Sequence, residues 1–344
     1  MATTMLPPVE AAPKVLPTER LLPSGKAIPE IRAGLRKIPN GRNALAIGGV
    51  WVQSLGFILA AARIDRWWAY LLCFLVMGRA HAMFAALSHE SAHRLLFSST
   101  RINDVVGRWV VGYPAFIITD LYRRGHMAHH KEEFGPNEPD MNLYVGYPVS
   151  RRSLRRKLLR DAVGISGYKN LMGLFRGLGV DGVKKHARRI VGFQLLLIAL
   201  SIVAGRWWLY WAMWFLPWMT QWRVINRLRA IAEHGGMERN DDRRFATHTV
   251  RQHLVARFFM VPYNIGWHLS HHVDMGVPWR NLPAYHRELT AAGYITADLE
   301  YRSYTQLWRK LASGTAEGRM GAGRGVSSGA DESDDGMPSL VSGL

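Results

Sequence analysis

The chain has 344 residues, 48% of them hydrophobic, with 13 Trp, 12 Tyr and a formal net charge of +18. Its single cysteine, Cys73, excludes an intrachain disulfide framework and any multi-cysteine metal site and reads as a free buried thiol. The basic runs at 151–157 and 184–189 lie between apolar segments, which favours a membrane surface over a nucleic-acid groove as their partner.

The first 40 residues hold seven Pro and no apolar run of signal-peptide length, so no cleavable secretory signal is expected. Residues 1–43 read as a largely irregular N-terminal arm. Four apolar stretches follow, near 44–62, 67–87, 190–204 and 207–225. A bilayer core takes roughly 20 helical residues, so the third stretch must draw on its flanks. Trp67-Trp68 and Trp207-Trp208 each open a stretch, as interfacial aromatic belts do. The turns Arg63-Ile64-Asp65-Arg66 and Gly205-Arg206 are too short for an intervening domain, so the stretches pair into two helical hairpins. Trp207, Trp208, Trp211, Trp214, Trp218 and Trp222 are expected to face lipid. A weaker stretch, 103–119, contains Gly and Pro and is expected to be interfacial or re-entrant. Residues 291–313 read as a C-terminal helical segment. The Gly/Ser/Asp-rich 314–344 reads as a disordered tail.

The fold expected is therefore all-α: an integral membrane protein with four transmembrane helices in two hairpins, residues 44–290 forming the membrane domain, and a cytosolic helical cap. Charge sets the orientation. Lys26, Arg32, Arg36, Lys37 and Arg42 lie on the N-terminal arm and segment 88–189 is strongly basic, whereas the hairpin turns hold only Arg63, Arg66 and Arg206. Both termini and the middle segment are predicted to be cytoplasmic.

Eight of the 14 histidines fall in three clusters. His89-Glu90-Ser91-Ala92-His93 is H-x-x-x-H; His126-Met127-Ala128-His129-His130 and His268-Leu269-Ser270-His271-His272 are both H-x-x-H-H. Positions i, i+3 and i+4 share one helix face, so each box aims two or three imidazoles at one point. All three boxes fall on the cytoplasmic side of a topology derived without using any histidine. Eight imidazoles exceed what one ion takes, since zinc needs three or four ligands, so two metals are expected. Imidazole suits Zn, Cu, Fe and Ni; iron is preferred because zinc does no redox chemistry. Glu90, Asp120, Glu132, Asp140, Glu233 and Asp274 are candidates to orient the rings. His81, His186, His248, His253 and His286 stand outside the clusters and read as packing, structural or exposed groups.

The three boxes, in that order and split by hairpins, resemble the membrane fatty acid desaturase family over roughly residues 45–290. Tyr122-Arg123-Arg124-Gly125-His126, Glu138-Pro139-Asp140, Asn264 and Pro278-Trp279-Arg280-Asn281-Leu282-Pro283 support the resemblance. The resemblance implies a ninth ligand, His234, between the fourth helix and the last box. It also implies two non-haem irons, O2 as co-substrate, electrons from a separate ferredoxin-like donor, and a lipid or fatty-acyl substrate into which a double bond is introduced. Hydroxylases and ketolases of lipids, alkanes or carotenoids share the scaffold. Some members place Asn four residues before the ninth histidine; here that position is Ala230, so that ligand is absent, or a water or Asn264 replaces it. A non-enzymatic metal-binding or transport protein would want its ligands within the spans, not clustered beyond them.

Overall fold

The computed structural model describes residues 5–14, 17–136 and 138–314. The tail expected to be disordered lies, apart from Gly314, outside the described residues. The helices in chain order are α1 (Pro29–Leu35), α2 (Asn40–Ile64), α3 (Trp67–Ala92), α4 (Thr100–Val106), α5 (Thr119–Glu132), α6 (Met141–Tyr144), α7 (Arg151–Ala162), α8 (Ile165–Gly177) and α9 (Lys184–Val203), then α10 (Trp208–Tyr210), α11 (Leu216–Met219), α12 (Gln221–His234), α13 (Leu254–Phe259), α14 (His268–Val273), α15 (Leu282–Ala291) and α16 (Tyr304–Leu311). Among the described residues the only paired strands are two residues each, β1 (Thr249–Val250) running parallel to β2 (Glu300–Tyr301).

Among the described residues three helical segments are long and apolar enough to cross a membrane: Pro29–Ile64, Trp67–Ala92 and Lys184–Val203. Leu45, Val52 and Leu59 of α2, and Leu195, Leu196, Leu200 and Val203 of α9, are exposed on the protein surface. Leaving such side chains in water forfeits about 1.5–3 kcal/mol each, whereas a lipid face demands them. α3 is different, because from Met77 onward it is buried almost continuously. Gly78 and the alanines at 80, 82, 85 and 86 let its neighbours approach closely on several sides.

The fourth apolar stretch departs from expectation. It is not one straight span: α10 runs into a wide π-type turn at Trp211–Phe215, α11 follows, and Thr220 (φ −121°, ψ −78°) breaks the chain before α12. Pro217, in the first turn of α11, has no N–H to give to the preceding turn, which accounts for the local widening. Its tryptophans divide as well. Trp207 and Trp211 are exposed, but Trp214, Trp218 and Trp222 are buried in the protein core, not in a lipid belt. Trp214 stacks on Trp51 of α2 and donates Nε1–H to the Pro114 carbonyl.

The two hairpin turns meet at one end of the bundle. Asp65, in the left-handed region (φ 52°), accepts from Tyr70 Oη at 2.6 Å and from Arg206 Nη1 at 3.0 Å. The histidine boxes lie at the opposite end, about 33 Å along α3 from its first turn to His89. Segment 103–119 lies against α3 as a broken helix: α4, a π-type turn at Gly107–Gly112, and a reversal at Phe116 (φ 63°) that launches α5. Thr119 Oγ1 donates to the Gly107 carbonyl and pins that reversal. The N-terminal arm folds back over the same end, where Asp274, at the end of α14, is held by Arg32 at 2.7 Å and by Arg36.

Gly107 packs directly on Ser91, between the two histidines of the first box. A Cβ there would overlap Ser91 Oγ and stand 2.7 Å from Ser91 Cβ. Gly107→Ala is expected to cost about 1–3 kcal/mol through overpacking, read as a lower unfolding midpoint in detergent. An unchanged midpoint would show that α4 and α3 are not held at this separation.

Candidate metal centre

The C-terminal turn of α3 carries His89 and presents His93 at its cap; α5 carries His126, His129 and His130; α12 ends on His234; α14 carries His268, His271 and His272. These four helix ends converge. His89, His93, His126, His130 and His271 bring ligand atoms within 4.8 Å of one another, and His129, His234 and His272 form a second such group with the carboxylate of Glu133. His268 joins the second group, its Nε2 lying 2.9 Å from that of His234. All eight box histidines and His234 are therefore brought together, as five and four.

Within the groups, ring nitrogens face ring nitrogens. His126 Nε2 lies 2.9 Å from His93 Nε2 and 3.1 Å from His130 Nε2, and His271 Nε2 lies 3.0 Å from His130 Nε2. Two nitrogens each about 2.1 Å from one ion and at right angles to it stand about 3.0 Å apart, so this spacing fits neighbouring positions around a shared metal. Nε2 of His272 is buried with no protein partner, as a ligand atom aimed at a metal must be. The donor set fits two metal ions.

Electrostatics keep the rings in the ligating form. Burial first, then the neighbouring imidazoles, pushes His126, His130, His234, His268 and His272 well below the ordinary histidine range and His271 down to about 3. A neutral imidazole has one lone pair, and the partner of the other nitrogen decides which atom carries it. His234 Nδ1–H donates to the Ala246 carbonyl at 2.9 Å, leaving Nε2 for the metal. His272 Nδ1 lies 2.8 Å from Glu133 Oε1, and His129 Nδ1 faces Glu138. Burial would lower His129, but Glu138 outweighs it and the group is raised.

Glu133 and Glu138 were not among the carboxylates singled out from the sequence. Their placement depends on the turn after α5, where Phe134 sits at φ 57° and its N–H donates to Glu138. Glu133 is itself fixed by Arg243, which also donates to the His130 carbonyl. Of the carboxylates that were singled out, Glu90 and Glu233 lie 3.7 Å from Nδ1 of His89 and His268. Asp120 is engaged by Arg108, and Asp274 by Arg32 and Arg36. Asp140 lines a cavity beside the clusters, where burial raises it to about 6. Ala230 also lines that cavity. Asn264 does not take over its role: its Oδ1 accepts from Arg257 and its Nδ2 donates to the Trp279 carbonyl. The remaining histidines stay outside the clusters: His81 faces the Trp214 carbonyl, His186 Tyr113, His248 the Gly235 carbonyl, His253 the Arg302 carbonyl and His286 Ser270.

Comparison with known proteins agrees with this geometry. The family model described as fatty acid desaturase matches residues 65–305, which include all nine converging histidines. The dihydrorhizobitoxine desaturase of Bradyrhizobium elkanii is 23% identical over 254 residues, covering 68% of this chain and 72% of its own.

The Glu133 carboxylate lies 2.8 Å from His272 Nδ1 and 3.4 Å from His234 Nδ1. Loss of such a ring-orienting carboxylate lowers metal affinity about 10–100-fold. Glu133→Ala is therefore expected to lose metal selectively from the four-histidine group, so that metal content by mass spectrometry falls by about half under limiting metal. Unchanged content would show that Glu133 orients neither ring.

Proposed function

We propose, for a chain that belongs to the fatty acid desaturase family, an O2-dependent membrane di-iron oxidase that removes two hydrogens from adjacent carbons of an aliphatic substrate. The observation that carries this reading is the convergence of nine imidazoles, eight buried and His93 half-buried, as groups of five and four. His89, His93, His126, His130 and His271 would hold one iron; His129, His234, His268 and His272 would hold the other. Zinc fits imidazole equally but performs no oxidation. When bound, the iron pair supplies O2 activation and oxidation of an unactivated C–H bond.

The balance of the reaction sets what else is required. Reducing O2 to two waters takes four electrons. Two come with the two C–H bonds that break as the C=C bond forms, and two come from a separate donor of the ferredoxin kind. Two hydrogens from the substrate and two protons from solvent complete the waters. Burial holds His126, His130, His234, His268, His271 and His272 neutral, and the Ala246 carbonyl and Glu138 fix which nitrogen of His234 and His129 is left for the metal. The surrounding residues also keep bulk water from the centre, since all nine rings are buried or nearly so.

A lipid acyl chain is the substrate expected from the family, and the exposed apolar faces of α2 and α9 support delivery from a bilayer. Oxygen insertion by a hydroxylase or ketolase is the second reading and uses the same residues. The name of the curated relative, a desaturase, keeps dehydrogenation ahead of it. Ligands gathered at helix ends, away from the hairpin turns, disfavour metal transport.

Purified in mild detergent with iron supplied, the protein is expected to hold close to two irons per chain, one for each ligand group. His234→Ala should lose iron and activity about as severely as His271→Ala, while His186→Ala and His253→Ala remain near wild type. Full iron in His234→Ala would remove it from the ligand set. Tags at either terminus and in segment 151–189 should be reachable only from the cytoplasm; labelling of that segment from outside intact cells would overturn the topology.

A further inference from the structure

Helix α7 carries a surface stripe whose chemistry changes along its length. Arg152, Arg155 and Arg156 are exposed at its start; Leu159, 62% exposed, and Ala162 follow at the same helical spacing, and the exposed Val163 continues them. Alongside runs an open groove of about 790 Å³, with these three arginines at one end and Leu158, Leu159, Ala162 and Val224 of α12 along the rest. Its two walls are fixed to each other, because Arg227 of α12 grips the buried Asp161 of α7. Among the described residues Arg152 and Arg155 make no ion pair.

The direction of the stripe matches the membrane. Gln221, at the start of α12, packs on Gly78, about 16 Å along α3 from its first turn. Val224, about one turn further, stands about 20 Å from that end. α7 runs antiparallel to α12: Asp161 meets Arg227, while Val149, just before α7, donates to the carbonyl of Leu311, which packs on Gly235 beyond the end of α12. Arg155 therefore lies about 10 Å beyond Ala162 and about 30 Å from the hairpin turns, where a bilayer core gives way to head groups. The apolar end is continued by α8, whose Ile165 and Tyr168 are exposed and whose Gly167 packs on the backbone of Met219 in the fourth apolar stretch.

An acidic protein would answer the arginines and leave the apolar length of the groove uncovered. A zwitterionic lipid would cover that length but bring a cation of its own to the arginines. An anionic phospholipid meets both, because its phosphate suits the guanidinium forks and its chain the apolar wall.

We propose that the groove between α7 and α12 binds one anionic phospholipid, its phosphate on Arg152, Arg155 and Arg156 and one acyl chain along Leu159, Ala162 and Val224. The site is separate from the histidine clusters and does not depend on the oxidase reading. The lipid fastens α7 to the leaflet and, through Asp161 and Arg227, steadies α12, which ends on His234.

Native mass spectrometry of the iron-loaded, full-length protein, released from micelles doped with phosphatidylglycerol or with phosphatidylcholine of the same chains, tests this. One phosphatidylglycerol per protein chain is expected, with phosphatidylcholine at least about tenfold weaker. Excess inorganic phosphate should not displace the lipid. Arg152→Gln/Arg155→Gln should weaken phosphatidylglycerol at least about tenfold, and Ala162→Trp, which fills the groove without touching a charge, should do the same. Lys185→Gln/Arg188→Gln, which removes equal charge from the other basic run, should bind as wild type. Equal binding of the two lipids, displacement by phosphate, wild-type binding by either α7 variant, or an equal loss in Lys185→Gln/Arg188→Gln would overturn the proposal. An arginine variant that keeps the lipid but slows reduction of the iron by an acidic ferredoxin would also overturn it, in favour of a protein partner.

Discussion

The constraint on which the rest of this structure depends is the burial of nine imidazoles against one another. Charged rings at this spacing would repel strongly, and burial keeps the rings neutral, with His129 the exception because Glu138 raises it. Neutral rings then need their second nitrogen held, or the lone pairs would not converge. The Ala246 carbonyl and Glu138 provide this for His234 and His129, and Glu133 stands 2.8 Å from Nδ1 of His272. Architecture elsewhere follows from keeping those helix ends in place. Gly107 lets α4 press on the first box, Arg243 ties Glu133 to the end of α5, and Asp274 fastens the third box to α1 through two arginines.

The long helices serve the same end from a distance. The hairpin turns meet through Asp65, Tyr70 and Arg206 at one end of the bundle, and the clustered histidines gather at the other. α3 links the two ends, running from an exposed Trp67 to a buried His89. Its apolar half belongs to a membrane-facing bundle and its last turns to a polar centre. The transition needs no break because its small residues allow neighbours to pack closely. The centre is polar beyond its ligands as well: the wall contributed by α12 sets Arg229 and Glu233 beside His234, so the helix that supplies a ligand also shapes what can lie next to it.

Much of the converging histidine cluster was legible in the sequence because local spacing alone creates it: histidines at i, i+3 and i+4 share a helix face wherever the helix lies. His234 carries no such local signal and came only from family resemblance; the structure brings it to His268 at 2.9 Å. Glu133 and Glu138 escaped because their direction depends on a left-handed residue, Phe134, in the turn after α5. Composition also could not divide the six tryptophans of the fourth apolar stretch. Trp214, Trp218 and Trp222 are as apolar as Trp207 and Trp211, yet they pack on protein. Pro217 was the available sign that this stretch would not run as one regular helix.

The central claim is that imidazole nitrogens, not carboxylates, dominate the coordination of a paired iron centre. X-ray absorption at the iron edge of the reduced, full-length protein tests it most directly. The account predicts a first shell of mainly nitrogen, with the outer-shell scattering that rigid imidazole rings produce, averaging about four to five rings per iron. A shell dominated by carboxylate oxygen, with little imidazole scattering, would contradict it.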